Sequence, residues 1–109
     1  MTLRPREVVL IRMDFHQRAG GKVRPAVVLL DSEYDYFIAA PVTSRPRDTD
    51  FDVALQQWRE ADLNVASTIR VHKLAVLAKD DIVRRVGELT AADRAAVAEV
   101  LGRAFSLGD

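Results

Sequence analysis

Short β-rich segments separated by turn-forming residues make up most of this chain, and only its end has the periodicity of a helix. Residues 7–15 (EVVLIRMDF), 25–31 (PAVVLLD) and 36–43 (YFIAAPVT) predict three strands, and residues 51–55 (FDVAL) predict a short fourth one. Val27 to Leu30 form an unbroken apolar run, which is typical of a strand buried on both faces. We therefore expect an α+β, mainly β fold: a small, strongly bent sheet or barrel with a helix packed on it.

The second half of the chain is less regular. Residues 56–64 (QQWREADLN) predict a helical turn or an irregular connection, and residues 67–78 (STIRVHKLAVLA) predict one longer strand or two short ones. Residues 80–89 (DDIVRRVGEL) are ambiguous, with Gly87 favouring a strand or turn. Thr90 followed by Asp93 resembles a capping box that opens the helix. The apolar face of this helix comprises Val97, Val100, Leu101, Ala104 and Phe105.

Length and composition indicate one domain, residues 1–109, with a single core. The formal net charge of zero disfavours a surface devoted entirely to nucleic acid, although residues 1–25 hold six cations against two acids. The absence of cysteine excludes disulfides and thiolate metal sites, and two histidines make a histidine-rich metal site a poor expectation. We expect no metal and no cofactor. Without a signal-peptide core or an apolar run of membrane-spanning length, we also expect a cytoplasmic protein with no membrane partner.

Arg24 stands directly before Pro25, at the start of the buried strand. A surface arginine that pairs with a nearby acid is the ordinary interpretation. The setting of Arg24 favours a ligand-binding role instead. The proline ring biases Arg24 toward extended backbone, and Gly20 and Gly21 leave room for a ligand. An arginine held in this way suits a two-pronged contact with a phosphate.

Two further segments bear polar groups. Thr43 and Ser44 end the third strand and precede Arg45; their hydroxyls either cap the following turn or contact a phosphate. In a strand, Arg70 and His72 would share one face, either as a solvated polar face or as a phosphate ligand beside a proton-transfer group. Trp58 either stacks on a base or, as we favour, anchors the packing.

Together, Arg24, Thr43, Arg70 and His72 suit the cleavage of RNA, because that substrate supplies its own nucleophile in the 2′-hydroxyl. The protein need only move protons and stabilise charge on the phosphate. We expect further RNA contacts from neighbouring side chains: His16, Lys22, Ser44, Arg45 and Lys73.

The chain resembles the MazF/PemK family of bacterial toxins along nearly its whole length. The segments that carry the resemblance are EVVLIRMDF, GGKVRPAVVLL, IAAPVTS, NVASTIRVHKLAVL and IVRRVGELTAADRAAVAEVL. The resemblance implies an SH3-like barrel with a C-terminal helix that acts as a homodimer. It also implies a metal-independent endoribonuclease that cuts single-stranded RNA at short sequences, leaves a 2′,3′-cyclic phosphate and a 5′-hydroxyl, and is blocked by a cognate antitoxin.

On the family pattern, Arg24 matches the catalytic arginine, Thr43 the catalytic threonine, and Arg70 an arginine that is catalytic in some members only. The chain departs from the pattern at Arg6, where a glycine is usual, and at His72, where an acid is common. His72 either replaces that acid as the base or leaves the role vacant. The loop HQRAGGK lacks the family's glutamate, so loop contacts to RNA are not carried over.

Two alternatives remain on the same fold. CcdB toxins share it and bind gyrase without cutting RNA, so the fold alone does not define the activity. The arginine and threonine set and the helical placement of Phe105 argue against a gyrase binder. A degenerate toxin kept as an inactive binding module is the other alternative.

Overall fold

Two long strands, β2 and β3, form the centre of the sheet. The structure is a computed structural model that describes residues 1–13 and 22–108. His16, Gly20 and Gly21 lie outside these described residues. The elements are β1 (Glu7–Met13), β2 (Lys22–Glu33), β3 (Tyr36–Thr43), β4 (Asp52–Ala54), β5 (Thr68–Arg70), β6 (Ala75–Ala78), a 3-10 turn (Lys79–Asp81), β7 (Ile82–Glu88) and α1 (Ala91–Ala104).

All strand pairs are antiparallel, and the sheet runs in the order β4-β5-β3-β2-β1-β7, with β6 also paired to β3. Register shifts interrupt the β1–β7 and β2–β3 pairs, and such irregularities bend a sheet. The mainly β fold with one C-terminal helix is therefore confirmed. Across the described strands, however, the sheet stays open and does not close into a complete barrel.

Apolar side chains cover both faces of this bent sheet. Val27 packs in one cluster with Val97 and Val100 of α1, whereas Val28 packs in a second cluster with Ile11 and Phe37. Because neighbouring residues of a strand point to opposite faces, the two clusters are the two sides of β2. The predicted burial on both faces is confirmed for Val27 and Val28, which are fully buried, but it is wrong for Leu30, which is 50 % exposed.

Several predicted boundaries agree with the structure. β3 spans the predicted residues, and residues 67–78 divide into β5 and β6. β2 begins at Lys22, three residues before the predicted start, so that Arg24 lies inside the strand. The segment of residues 80–89, which is ambiguous in sequence, ends the 3-10 turn at Asp81 and forms β7 from Ile82 to Glu88. Within the described ranges, no helix is long and apolar enough to cross a membrane.

The helix begins as predicted, but the Asp93 side chain does not complete a capping box and makes other hydrogen bonds. Thr90 is the N-cap residue, and its hydroxyl accepts a hydrogen bond from the Asp93 N–H at 3.4 Å. The Asp93 carboxylate accepts from the backbone N–H groups of Gln56 and Gln57 at 3.0 and 2.9 Å. It therefore fastens the segment after β4 to the helix. Phe105 ends the helix and is 49 % exposed, so the prediction that it continues the apolar face is wrong.

Candidate active site

Arg24 and Thr43 lie on neighbouring strands at the same end of the sheet. Ala26 of β2 pairs with Pro41 of β3, and Arg24 and Thr43 each lie two residues beyond that pair, in the same direction. Because side chains alternate along a strand, both project from the face that bears Ala26 and Pro41. Opposite positions on paired strands are about 5 Å apart, so a phosphate is small enough to contact both side chains.

Two cavities adjoin Arg24, which is exposed. The larger, about 240 Å³, is also lined by Ser44 and by the loop of residues 62–65. The smaller, about 60 Å³, is also lined by Pro41 and Lys73. Arg24 thus lies between the larger cavity, which ends at the loop of residues 62–65, and the smaller cavity, which contains the second cation, Lys73.

The hydroxyl of Thr43 has one partner in the structure. It accepts a hydrogen bond from the Arg45 N–H at 3.1 Å, so the turn-capping interpretation holds. A hydroxyl group also has a proton to donate and a second lone pair. Capping therefore fixes the oxygen of the half-buried Thr43 and leaves its proton for a ligand.

Arg70 belongs to the same face through β5. Thr68 pairs with Thr43, and Arg70 is two residues further along its strand. The Arg70 Nε donates to Asp52 Oδ1 at 3.0 Å, so the ion-pair interpretation also holds for this arginine. Within the described part of the chain, the two terminal nitrogens of its guanidinium group make no hydrogen bond, and they remain available for a phosphate.

Asp52 is a functional candidate that the sequence analysis missed. Its side chain is 1 % exposed, against 20 % for that of Arg70. The carboxylate also accepts from the Thr49 hydroxyl at 2.7 Å and from the Thr49 N–H at 3.0 Å. Burial alone would raise the pKa of Asp52, but the hydrogen bonds from Thr49 and Arg70 outweigh it and hold the pKa below its ordinary value of 3.8.

His72 does not share a strand face with Arg70, because β5 ends at Arg70. The Lys73 N–H donates to the Arg70 carbonyl at 3.1 Å and closes a turn that contains His72. The imidazole packs against Phe51, with ring centroids 5.4 Å apart. Its Nδ1 is buried and has no hydrogen-bond partner among the residues described. An unpaired buried nitrogen is costly, and its burial keeps Nδ1 out of direct contact with a ligand at the surface.

The residues predicted to contact RNA are distributed unevenly around this site. Ser44 lines the larger cavity and Lys73 the smaller one. Lys22 and Arg45 are exposed at the start of β2 and after β3. His16 lies outside the described residues. In the described ranges, no group of three potential metal-binding side chains occurs.

Trp58 has a packing role. It is partly buried against the cluster that contains Val97, and the Arg59 guanidinium lies 4.5 Å from its ring centroid. The favoured interpretation of Trp58 as a packing anchor is therefore confirmed.

The fold defines a class of small, mainly β domains with one terminal helix, and Arg24 and Thr43 form its candidate site here. A family profile described as "PemK-like, MazF-like toxin of type II toxin-antitoxin system" matches residues 4–105. The chain belongs to this family. No curated protein sequence matches the chain significantly.

Solved structures show the same fold. Mycobacterium tuberculosis toxin MazF-mt6 is 24 % identical, with 95 % of this chain and 100 % of that chain covered and a TM-score of 0.74. An endoribonuclease in complex with its cognate antitoxin, from a mycobacterial species, is 18 % identical, with 100 % and 99 % covered and a TM-score of 0.76. The MazE-MazF structure (Form-III) from Deinococcus radiodurans is 26 % identical, with 95 % of each chain covered and a TM-score of 0.72.

Proposed function

We propose that this toxin is a metal-independent endoribonuclease that cuts single-stranded RNA at short sequences and leaves a 2′,3′-cyclic phosphate and a 5′-hydroxyl. The observation that carries the proposal is the strand register that brings Arg24 and Thr43 to one end of one sheet face. Membership of a toxin family whose solved relatives include proteins described as endoribonucleases supports it.

In the proposed reaction, the 2′-oxygen of the RNA attacks the adjacent phosphorus and the bond from phosphorus to the 5′-oxygen breaks. The 2′-hydroxyl loses its proton to a base, and the departing 5′-oxygen takes up a proton from water. Arg24 contacts the phosphate oxygens, and the Thr43 hydroxyl donates to an oxygen on which charge develops. No added nucleophile is needed.

Arg70 and His72 supply the remaining roles in this proposal. The terminal nitrogens of Arg70 face the same side of the sheet as Thr43 and add positive charge at the phosphate. His72 is the candidate base for the 2′-hydroxyl, and because its Nδ1 is buried the contact with RNA would be made by Nε2. The sugar–phosphate backbone of the RNA on either side of the cut would be contacted by Lys22, Ser44, Arg45 and Lys73. His16 remains a predicted RNA contact.

The proposed partners are single-stranded RNA, a cognate antitoxin and a second copy of the chain, in the cytoplasm. Structures in which related toxins are bound to antitoxins support the second of these. A gyrase-binding toxin remains the alternative outcome. The exposed Phe105 removes one argument against it, while the arginine–threonine site still favours the ribonuclease.

The test uses purified protein and a long single-stranded RNA in excess EDTA, with primer extension to map the ends. The matched control for Arg24→Ala is Arg12→Ala, since Arg12 is exposed on the adjacent strand β1 and points to the opposite face. We expect discrete cuts from the wild type and Arg12→Ala, and a loss of at least 100-fold in Arg24→Ala. A folded wild type that leaves a broad set of RNAs uncut would overturn the proposal.

A further inference from the structure

The larger cavity beside Arg24 lies between the sheet and the loop of residues 62–65. Val42 and Pro25 line it from the strands, and Leu63 and Val65 line it from the loop. Its volume of about 240 Å³ is below the range of about 300–1,000 Å³ that is typical of sites for drug-sized ligands. A single flat ring system between apolar walls matches this space better than a larger ligand.

The loop wall is rigidly built. The backbone N–H groups of Ala61, Asp62 and Leu63 donate to the carbonyls of Trp58 and Arg59 at 2.9–3.2 Å. Asp62 has a φ of 65°, a left-handed conformation that aspartate tolerates better than most residues. Gly87 of β7 allows the loop to approach, because a Cβ at that position would lie 2.6 Å from the Ala61 carbonyl oxygen. The cavity is therefore preformed.

Polar groups stand along the loop side of this cavity. Asn64 is exposed at its edge, and within the described part of the chain its amide has no hydrogen-bond partner. An amide donates and accepts at once, whereas the carboxylate of Asp62 only accepts. A base with an exocyclic amino group can donate to such acceptors. Uracil has carbonyl oxygens in place of an amino group, so only its ring N3–H could donate to the carboxylate, between two oxygens that the carboxylate repels.

We propose that this cavity binds one nucleobase of the RNA, with Asn64 and Asp62 selecting a base that carries an exocyclic amino group. Asn64 is a specificity-determining residue in this view. Arg24 lies at the rim of this cavity, whose strand residues Pro25 and Val42 face the side of the sheet opposite to Thr43, so the base belongs to a nucleotide whose backbone crosses the end of the sheet at Arg24. Unstacked bases of single-stranded RNA are commonly recognised in this way, by apolar contacts to their faces and hydrogen bonds to their edges. The inference rests on the proposed ribonuclease function.

The test is cleavage of a random-sequence single-stranded RNA library in EDTA, followed by sequencing of the new ends. We expect the wild type to disfavour uracil about tenfold at one position beside the cut. Asn64→Ala should relax the preference at that position only, whereas Asn64→Asp should sharpen it by adding an acceptor. Gln56→Ala removes an exposed amide outside the cavity and should leave the whole profile unchanged.

The outcomes separate the two proposals. A wild type that cuts without any base preference beside the cut would overturn the base pocket, as would an Asn64→Ala profile identical to that of the wild type. Either result would leave the ribonuclease intact if Arg24→Ala is inactive. A wild type that cuts no RNA would overturn the proposed function, and the pocket would fall with it. Asn64 is exposed, and thermal melts would show that its variants fold.

Discussion

The Nε of Arg70 donates a hydrogen bond of 3.0 Å to the buried carboxylate of Asp52, a residue 18 positions earlier in the sequence on the paired strand. The two residues are direct partners in the β4–β5 register. Asp52 is in turn held by two hydrogen bonds from Thr49. The neighbouring Phe51 contacts His72. One short segment, Thr49 to Asp52, thus positions both Arg70 and His72.

The first prediction concerns Asp52→Asn and RNA cleavage. Because the neutral amide ends the ion pair with Arg70 and replaces one acceptor oxygen with a donor, the guanidinium group is held less firmly in its direction. We expect kcat to fall about 10- to 100-fold with a smaller change in KM. Asp50→Asn is the matched control, because Asp50 is an exposed acid of the same segment whose carboxylate makes no hydrogen bond among the described residues. Equal rates for the two variants would contradict a positioning role.

The second prediction concerns stability and pH. The lowered pKa of Asp52 means that its carboxylate stabilises the folded chain above the ordinary value of 3.8 and that this contribution is lost as the pH falls toward the folded-state pKa. Denaturant unfolding should therefore show Asp52→Asn about 1–3 kcal/mol less stable than the wild type at pH 7. The difference should shrink below pH 3.8. A difference that stays constant down to the acid limit would refute this linkage.

Some of this architecture follows from local sequence. The bounds of β3 and the N-cap at Thr90 were predictable because turn formers and a capping hydroxyl mark them directly. The bonds of Asp52 and Asp93 were not, because each joins segments that are distant in sequence. His72 was expected on a strand face; the β-branched run continues past Arg70, but a turn closed by Lys73 ends the strand there. Local propensity does not encode that choice.

The third prediction compares two glycine substitutions. A Cβ at Gly87 would lie 2.6 Å from the Ala61 carbonyl oxygen and 2.9 Å from Asp62 Oδ2, so Gly87→Ala should destabilise the fold by about 1–3 kcal/mol. Gly102 in α1 has open space around the corresponding position. Gly102→Ala should therefore stabilise the protein by up to about 1 kcal/mol through helix propensity. Thermal or denaturant unfolding measures both, and shifts of the same sign would contradict the packing described for Gly87.

The fourth prediction concerns the backbone of Arg6, the residue before β1. Arg6 has a φ of 90°, a region that disfavours residues with a Cβ. Its backbone N–H and carbonyl are both hydrogen-bonded, to Val28 and Leu89, so the turn cannot relax freely. We expect Arg6→Gly to be more stable than Arg6→Ala by about 1 kcal/mol. Both variants lose the side chain that lies near Glu88. The difference between their free energies of unfolding therefore measures the cost of the backbone conformation at residue 6.

The central claim is that the RNA supplies its own nucleophile at a phosphate held by Arg24 and Thr43. The most direct measurement replaces the single 2′-hydroxyl at a mapped cut with hydrogen and follows cleavage of that oligonucleotide by the wild-type protein in EDTA. We predict that cleavage at this phosphodiester stops, that the deoxy-substituted strand still competes with RNA for binding, and that the unmodified strand ends in a 2′,3′-cyclic phosphate. Continued cleavage of the substituted strand at the same bond would contradict the claim.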